Sequence, residues 1–196
     1  MVTVEVDAVR VEKRLLEGGI ECPCCGGVLG GWGWARERPI LGLTGRVRPR
    51  RGRCRGCGVT HVLLPVVLLL RRAYSAEIVW AVFLARVAGA GHRTITLVLG
   101  VLVPAGTVRR WLRRMASRLE EVRVWFLGVG LEVGVEVRPP EGSGSVWGDA
   151  LGAVGFVAAA IATRFGAVGL EAGSAVVRVA VSGSGGRLLS PGWPPR

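Results

Sequence analysis

The chain has very few of the residues that metal-dependent strand transfer and most hydrolytic chemistry require. Its 196 residues include two aspartates, Asp7 and Asp149, two histidines, His61 and His92, and one lysine, Lys13. Moving or cutting DNA by the three-carboxylate route needs acids converging on two metal ions. Asp7 stands before the cysteine patches, and beyond Arg123 only Glu132, Glu136, Glu141, Asp149 and Glu171 remain, on a stretch too short for an RNase H-like domain. No G-x-S-x-G, P-loop or H-E-x-x-H is present. These absences argue against an enzyme. A secretory signal is also missing from the opening residues, which already contain Glu5, Asp7 and Arg10. The apolar stretch Ala150–Thr163, bounded by Asp149 and Arg164, falls short of the ~20 residues of a membrane span. A cytoplasmic protein without membrane contact is expected.

The cysteine that is present is concentrated. Cys22-Pro23-Cys24-Cys25-Gly26 and Cys54-Arg55-Gly56-Cys57-Gly58 hold all five cysteines. Cys22/Cys25 and Cys54/Cys57 are C-x2-C pairs, each followed by glycine. Such a pair bends a short loop so that two thiolates face one ion, amides in the turn donate to sulfur, and glycine lets the chain leave at positive φ. The segment between the pairs exceeds the ~15–20 residues of the short motif, so the hairpin there must be long. Disulfides fit poorly, because five is odd and neighbouring C-x2-C pairs make poor bridge partners. A thioredoxin-like redox site needs one C-x-x-C rather than two. The expected cofactor is a structural zinc on Cys22, Cys25, Cys54 and Cys57, with iron the other metal that four sulfurs suit. Cys24 is the spare and could substitute as a ligand. His61, four residues past Cys57, is read as a strand residue rather than a ligand.

The formal charge is +12, and it is unevenly placed. Residues 36–123 carry 18 arginines against Glu37, Glu77, Glu120 and Glu121, whereas the flanking segments are slightly acidic or neutral. A GC-rich genome explains arginine in place of lysine but not this clustering. The pattern is an electrostatic footprint for a polyanion, with nucleic acid first.

The periodicities predict an α+β fold: a small β zinc ribbon, a mainly α helix-turn-helix domain and a short helical C-terminal region. Val2, Val4 and Val6 alternate as a short strand, and residues 9–17 suit a turn or two of helix, giving an N-terminal element over 1–19. The ribbon covers 20–70. Within it, Trp32, Trp34, Ile40, Leu41, Leu43 and Val47 read as hairpin strands. Trp32 and Trp34 could stack on bases, although a miniature core against the knuckles is the favoured role. Over 71–127 come a helix at 76–88 with Ser75 as N-cap, a short helix at Arg93–Leu99, and a third from about 105 to 127. In the third, Val108, Trp111, Leu112, Met115, Leu119, Val122 and Phe126 recur at steps of three and four, and Arg109, Arg110, Arg113 and Arg114 fall on the other side. A helix, a short helix, a glycine turn and an arginine-faced helix describe a helix-turn-helix, whose last helix enters the major groove. The candidate DNA-contacting residues are Arg93, Thr107, Arg109, Arg110, Arg113 and Arg114, with Arg50, Arg51 and Arg53 on the ribbon.

Beyond this, Gly128–Val137 alternates like a glycine-rich strand, and 128–145 reads as a linker. Trp147, Leu151, Val154, Ala158, Ile161 and Phe165 follow a helical rhythm over 147–165, within an apolar region spanning 146–182. That helix serves either as intramolecular core or as a packing or dimerisation surface. The tail, 183–196, is expected to be loose.

Two resemblances rest on these residues. Arg50-Arg51-Gly52-Arg53-Cys54-Arg55-Gly56-Cys57-Gly58-Val59-Thr60-His61 resembles the second half of the zinc ribbon that opens many bacterial transposases. The order Cys-Pro-x-Cys-Gly, basic strand, Cys-x-x-Cys-Gly-x-Thr-His, Leu-Leu-Pro, then helix-turn-helix is similar, over about residues 20–120, to an actinobacterial family of unknown function described as helix-turn-helix or transposase-like. Leu99-Gly100-Val101 to Thr107-Val108-Arg109-Arg110-Trp111-Leu112 resembles a turn and recognition helix, but with two residues more than the usual Gly-Val-Pro-x-x-Thr-Val. The resemblance implies a non-catalytic DNA-binding protein, a regulator or the DNA-recognition part of a mobile element. It would bind double-stranded DNA at the nucleoid, as a homodimer or beside a mobile-element partner protein. The alternatives are a protein-interaction adaptor and a transposase remnant.

Overall fold

The computed structural model describes residues 1–100, 103–134, 137–166 and 172–195. Among these, the chain is mixed α+β, with a four-stranded sheet, a two-stranded hairpin and seven helices. The first strand, β1 (Val2–Val4), runs into α1 (Ala8–Leu16). Asp7 starts that helix by accepting the Val9 and Arg10 amides on its carboxylate, which satisfies donors the first turn leaves free. Next come β2 (Leu29–Trp34), the small hairpin β3 (Arg38–Pro39) and β4 (Arg46–Val47), then β5 (Arg50–Cys54) and β6 (Thr60–Pro65).

The sheet order is β1-β6-β5-β2, with β1 parallel to β6 and the other pairs antiparallel. The N-terminal element is therefore integral to the sheet that carries both cysteine turns. It supplies a strand to the sheet and, through Val11 and Leu15 of α1, packs on Ile20, Cys22, Leu29, Cys54 and Leu63. Along β5 the two-residue period sorts the side chains: Gly52 and Cys54 are buried, while Arg51, Arg53 and Arg55 are exposed. The long inter-knuckle segment is taken up by the β3–β4 hairpin and by an irregularity in β2 between Gly31 and Trp34. Trp32 and Trp34 do not form the expected miniature core, being 53% and 45% exposed. Aliphatic side chains from α1 fill that place, leaving the indoles outside.

The second half is helical: α2 (Ala76–Val87), α3 (His92–Val98), α4 (Ala105–Ala116), α5 (Leu119–Glu132), α6 (Val146–Phe165) and α7 (Ala172–Gly183). Ser75 caps α2 by accepting the Ile78 amide, as the sequence predicts. The turn before α4, two residues longer than the usual one, includes Val101 and Leu102, which lie outside the described residues. The helix expected over 105–127 is two helices. Arg118 leaves helical geometry at φ −151°, and its guanidinium donates to the carbonyls of Arg114, Ser190 and Trp193. The strand-like run from Gly128 is the end of α5 as far as Glu132. Its glycines mimic alternation, but Gly130 is the point where α5 lies against Phe156 of α6 with no room for a Cβ.

The face of α6 that enters the core includes Leu151 and Val154, as predicted, with Trp147 packed against it, joined by Ala150, Ala153 and Val157, while Ile161 and Phe165 at the far end are exposed. At 20 residues α6 has the length and hydropathy of a membrane span, a test that buried core helices also pass. The tail also differs from expectation. Leu188, Leu189 and Trp193 are buried in the main core beside Phe126, with Trp193 at 6.1 Å from the Phe126 ring.

Candidate metal centre and cationic faces

The first cysteine pair lies in the turn before β2, where Cys22 donates its amide to Gly27 O and Gly26 donates to Cys22 O. The second lies in the turn joining β5 to β6, with Cys54 N donating to Val59 O and Gly58 N to Cys54 O. Gly26 and Gly58 have φ of +71° and +73°, the left-handed conformation that glycine adopts without strain. Pairing of β2 with β5 puts Leu29 opposite Cys54 and so draws the two turns together.

The sulfurs of Cys22, Cys25, Cys54 and Cys57 all lie within 4.8 Å of one another. Cys22 Sγ is 3.7 Å from Cys57 Sγ, and Cys25 Sγ is 3.5 Å from Cys54 Sγ. Thiolates bonded at about 2.3 Å to one ion form a tetrahedron with edges of about 3.8 Å. The spacing fits a metal and is far too long for S–S bonds. Four thiolates this close repel, and proton affinities reflect the crowding. The amides of Cys57 and Gly56 donate to Cys54 and, against burial, bring its pKa down to about 6. Cys57 is pushed up to about 12: the Val59 amide favours its thiolate but is outweighed by the Cys25 sulfur, burial and the Cys54 and Cys22 sulfurs. Burial opposes charge on Cys22 as well, but the Cys24 and Cys25 amides overcome it and lower its pKa. A bound dication removes the repulsion that keeps a proton on Cys57.

Cys24 points outside this set. With Cys22 and His61 it makes a second group whose ligand atoms lie within 4.8 Å. His61 is the strand residue the sequence predicts, buried on β6, and its Nε2 is 3.3 Å from Cys22 Sγ. It is an outer partner of that sulfur, a role the sequence did not reveal. Gly27 is a second feature the reading missed. A Cβ there would stand 3.1 Å from Cys54 Sγ and 3.4 Å from Cys25 Sγ. Sulfurs fixed by an ion cannot yield, so Gly27→Ala is expected to weaken metal affinity about tenfold, read by competition with a chromophoric chelator.

Both aspartates have local structural work. Asp7 caps α1, and Asp149 accepts from the Ser143 amide and hydroxyl, which holds its pKa below the usual carboxylate range.

The predicted arginines separate into two kinds. On α4, Val108, Trp111 and Met115 are buried, while Arg109, Arg110, Arg113 and Arg114 are exposed. Thr107 is half-buried and accepts from Arg110, and Arg93 is exposed on α3. Of the ribbon set, Arg51 is exposed on β5, and Arg53 lies 4.6 Å over the Trp32 ring and donates to Gly58 O. Arg50 is withdrawn: it pairs with Glu12 of α1, donates to Gly33 O and lies over Trp34. Its role is to fasten α1 to the sheet. Among the described residues, none of the other seven arginines has a carboxylate within salt-bridge distance. Arg114 is partly committed, donating to Leu189 O at 3.2 Å.

Residues 22–111 match the family model described as Domain of unknown function (DUF6431). The match opens on the first metal-ligand candidate and closes on Trp111 in α4, spanning both cysteine pairs, α2 and α3. No curated protein and no solved structure matches the chain. Over those residues the chain is thus similar to a family without an assigned activity, carrying a four-cysteine cluster able to hold a metal ion.

Proposed function

We propose that the chain is a non-catalytic DNA-binding protein in which a structural zinc ion on Cys22, Cys25, Cys54 and Cys57 organises a ribbon, and α2, α3 and α4 act as a helix-turn-helix. The observation that carries this reading is the one-sided charge of α4. Its buried side is apolar, and its exposed side bears Arg109, Arg110, Arg113 and Arg114 without carboxylate partners among the described residues. Solvated helix faces usually mix signs; this one suits guanine edges and phosphates. The outward arginines of β5 add a second surface for the sugar–phosphate backbone. In this reading the protein works at the nucleoid, as a regulator or as the recognition part of a mobile element.

The test is anisotropy titration of a labelled random duplex at several salt concentrations. Affinity should fall with a log–log slope of about −0.9 per neutralised phosphate. Arg110→Glu with Arg113→Glu should weaken binding by roughly 100-fold or more. A flat salt response rejects the arginine face as the contact. Metal analysis of the same preparation decides between zinc and iron.

A second reading, an adaptor for another protein, is favoured by a groove of about 730 Å³ between α6 and α7, lined by Val157, Ala158, Val176 and Val179. Absence of duplex binding at low salt would select it.

A further inference from the structure

Between the loop that precedes α2 and the helix α4 lies a cleft of about 450 Å³ lined by Arg71, Arg72, Tyr74, Thr107, Arg110 and Arg114. None of its lining residues is acidic. Arg71 and Arg72 come from the loop that leads into α2, while Thr107, Arg110 and Arg114 follow one another along α4, from its first turn to its last. Four guanidiniums from two segments thus share one concavity.

Several details fix their arrangement. Arg72 and Arg114 both donate to the carbonyl oxygen of Leu189, at 2.8 and 3.2 Å, so the tail brings their head groups to a common point. Arg110 is steadied by its 3.0 Å hydrogen bond to Thr107 Oγ1. Tyr74 is held edge-on against Trp111, with centroids 5.0 Å apart. Arg71 is the one non-glycine residue with positive φ among the described residues, at +56°, a conformation kept only where the surroundings impose it. The Nε of Arg72 is buried without a hydrogen-bond partner among the described residues. Burial and the neighbouring Arg114, Arg110 and Arg118 also push the Arg72 pKa down, as expected where positive charge accumulates uncompensated. An unpaired buried donor among like charges is costly unless an anion completes it.

We infer that this cleft is a phosphate-binding cradle, formed by Arg71, Arg72, Arg110 and Arg114, that grips one backbone phosphate of the nucleic acid. The inference rests on the DNA-binding reading and deepens it. Arg71 and Arg72, outside the predicted contact set, become contacts that fix register, while Arg109 and Arg113 on α4 remain free for other phosphates or bases. A tetrahedral anion with several acceptor oxygens suits convergent guanidinium donors from two segments.

The experiment compares the wild type, Arg71→Gln, Arg109→Gln and Arg138→Gln in the salt-dependent duplex titration. The same protein is also titrated with inorganic phosphate and, separately, chloride, following arginine Nε–H resonances by NMR. Arg71→Gln should weaken duplex binding about tenfold and flatten the salt slope by about one phosphate, whereas Arg138→Gln, exposed and outside the cleft lining, should do neither. Inorganic phosphate, unlike chloride, should shift the Arg72 Nε–H resonance saturably. If Arg109→Gln weakens duplex binding while Arg71→Gln leaves affinity and slope unchanged, the cradle is overturned and the helix face stands. If the wild type does not bind duplex but phosphate still shifts Arg72 saturably, the anion site stands and the DNA reading falls. If phosphate moves Arg72 no more than chloride does, the cradle is overturned whatever the duplex result.

Discussion

Removing the metal with a strong chelator, or replacing Cys54 with serine, is expected to unfold the N-terminal half while the helical half keeps its core. The apolar cluster between α1 and the four-stranded sheet consists of Val4, Val11, Leu15, Ile20, Cys22, Leu29, Cys54 and Leu63, so two of its members are ligand candidates themselves. Glycines in β2 and β5 give the sheet few side chains to pack. So little buried surface cannot offset the entropy of ordering some seventy residues at about 1–2 kcal/mol each for the backbone alone. Structural zinc in small modules contributes roughly 10–16 kcal/mol, enough to decide whether such a ribbon folds. The helical cluster is larger and contains no cysteine: Phe83, Phe126, Trp111, Met115 and Leu188 are among its buried members. Hydrogen exchange by mass spectrometry separates the halves. Chelation should deprotect the amides of β2, β5 and β6 and leave those of α2 and α5 protected. Unchanged protection of the ribbon amides would mean that the cysteines are not its keystone.

The second large effect is Trp193→Ala, which should lower stability by about 3–5 kcal/mol. Glycine and proline around it suggest a loose end, yet Trp193 is 5% exposed. Its ring lies 6.1 Å from that of Trp125 and from that of Phe126, and its carbonyl accepts from Arg118. Truncation opens a cavity lined by two aromatic rings of α5, of which Trp125 is held by its hydrogen bond to Gly183 O at the end of α7. Urea denaturation should show a lower midpoint without a change in slope. A midpoint equal to the wild type would mean that the tail is unattached.

The parts of the molecule legible in the sequence are those set by local chemistry. Gly26 and Gly58 after each C-x2-C predict the turn geometry, Ser75 predicts where α2 starts, and the spacing of Val108, Trp111 and Met115 predicts which side of α4 is buried. What escaped is tertiary. The apolar rhythm Met115, Leu119, Val122, Phe126 runs straight through the break at Arg118, whose guanidinium is held by carbonyls more than seventy residues away. Alternating glycine and valine after Gly128 look like a strand until Phe156 explains why Gly130 must be small. Arg50 reads as one more free cation, and only the fold of α1 onto the sheet supplies Glu12. Of the candidate site, the four sulfurs were fully legible, whereas Arg71-Arg72 was visible only as a boundary before α2.

The parallel pairing of β1 with β6 sets an order of events during synthesis. Val2 is opposite Leu63, so the opening strand has no partner until the ribosome has delivered about sixty further residues. An ion that joins Cys22 to Cys57 first would shorten that closing loop to about twenty-five residues, which lowers the closure cost by somewhat under ~1 kcal/mol. A nascent chain starved of metal would leave its first strand unzipped while the helices behind it were already condensing.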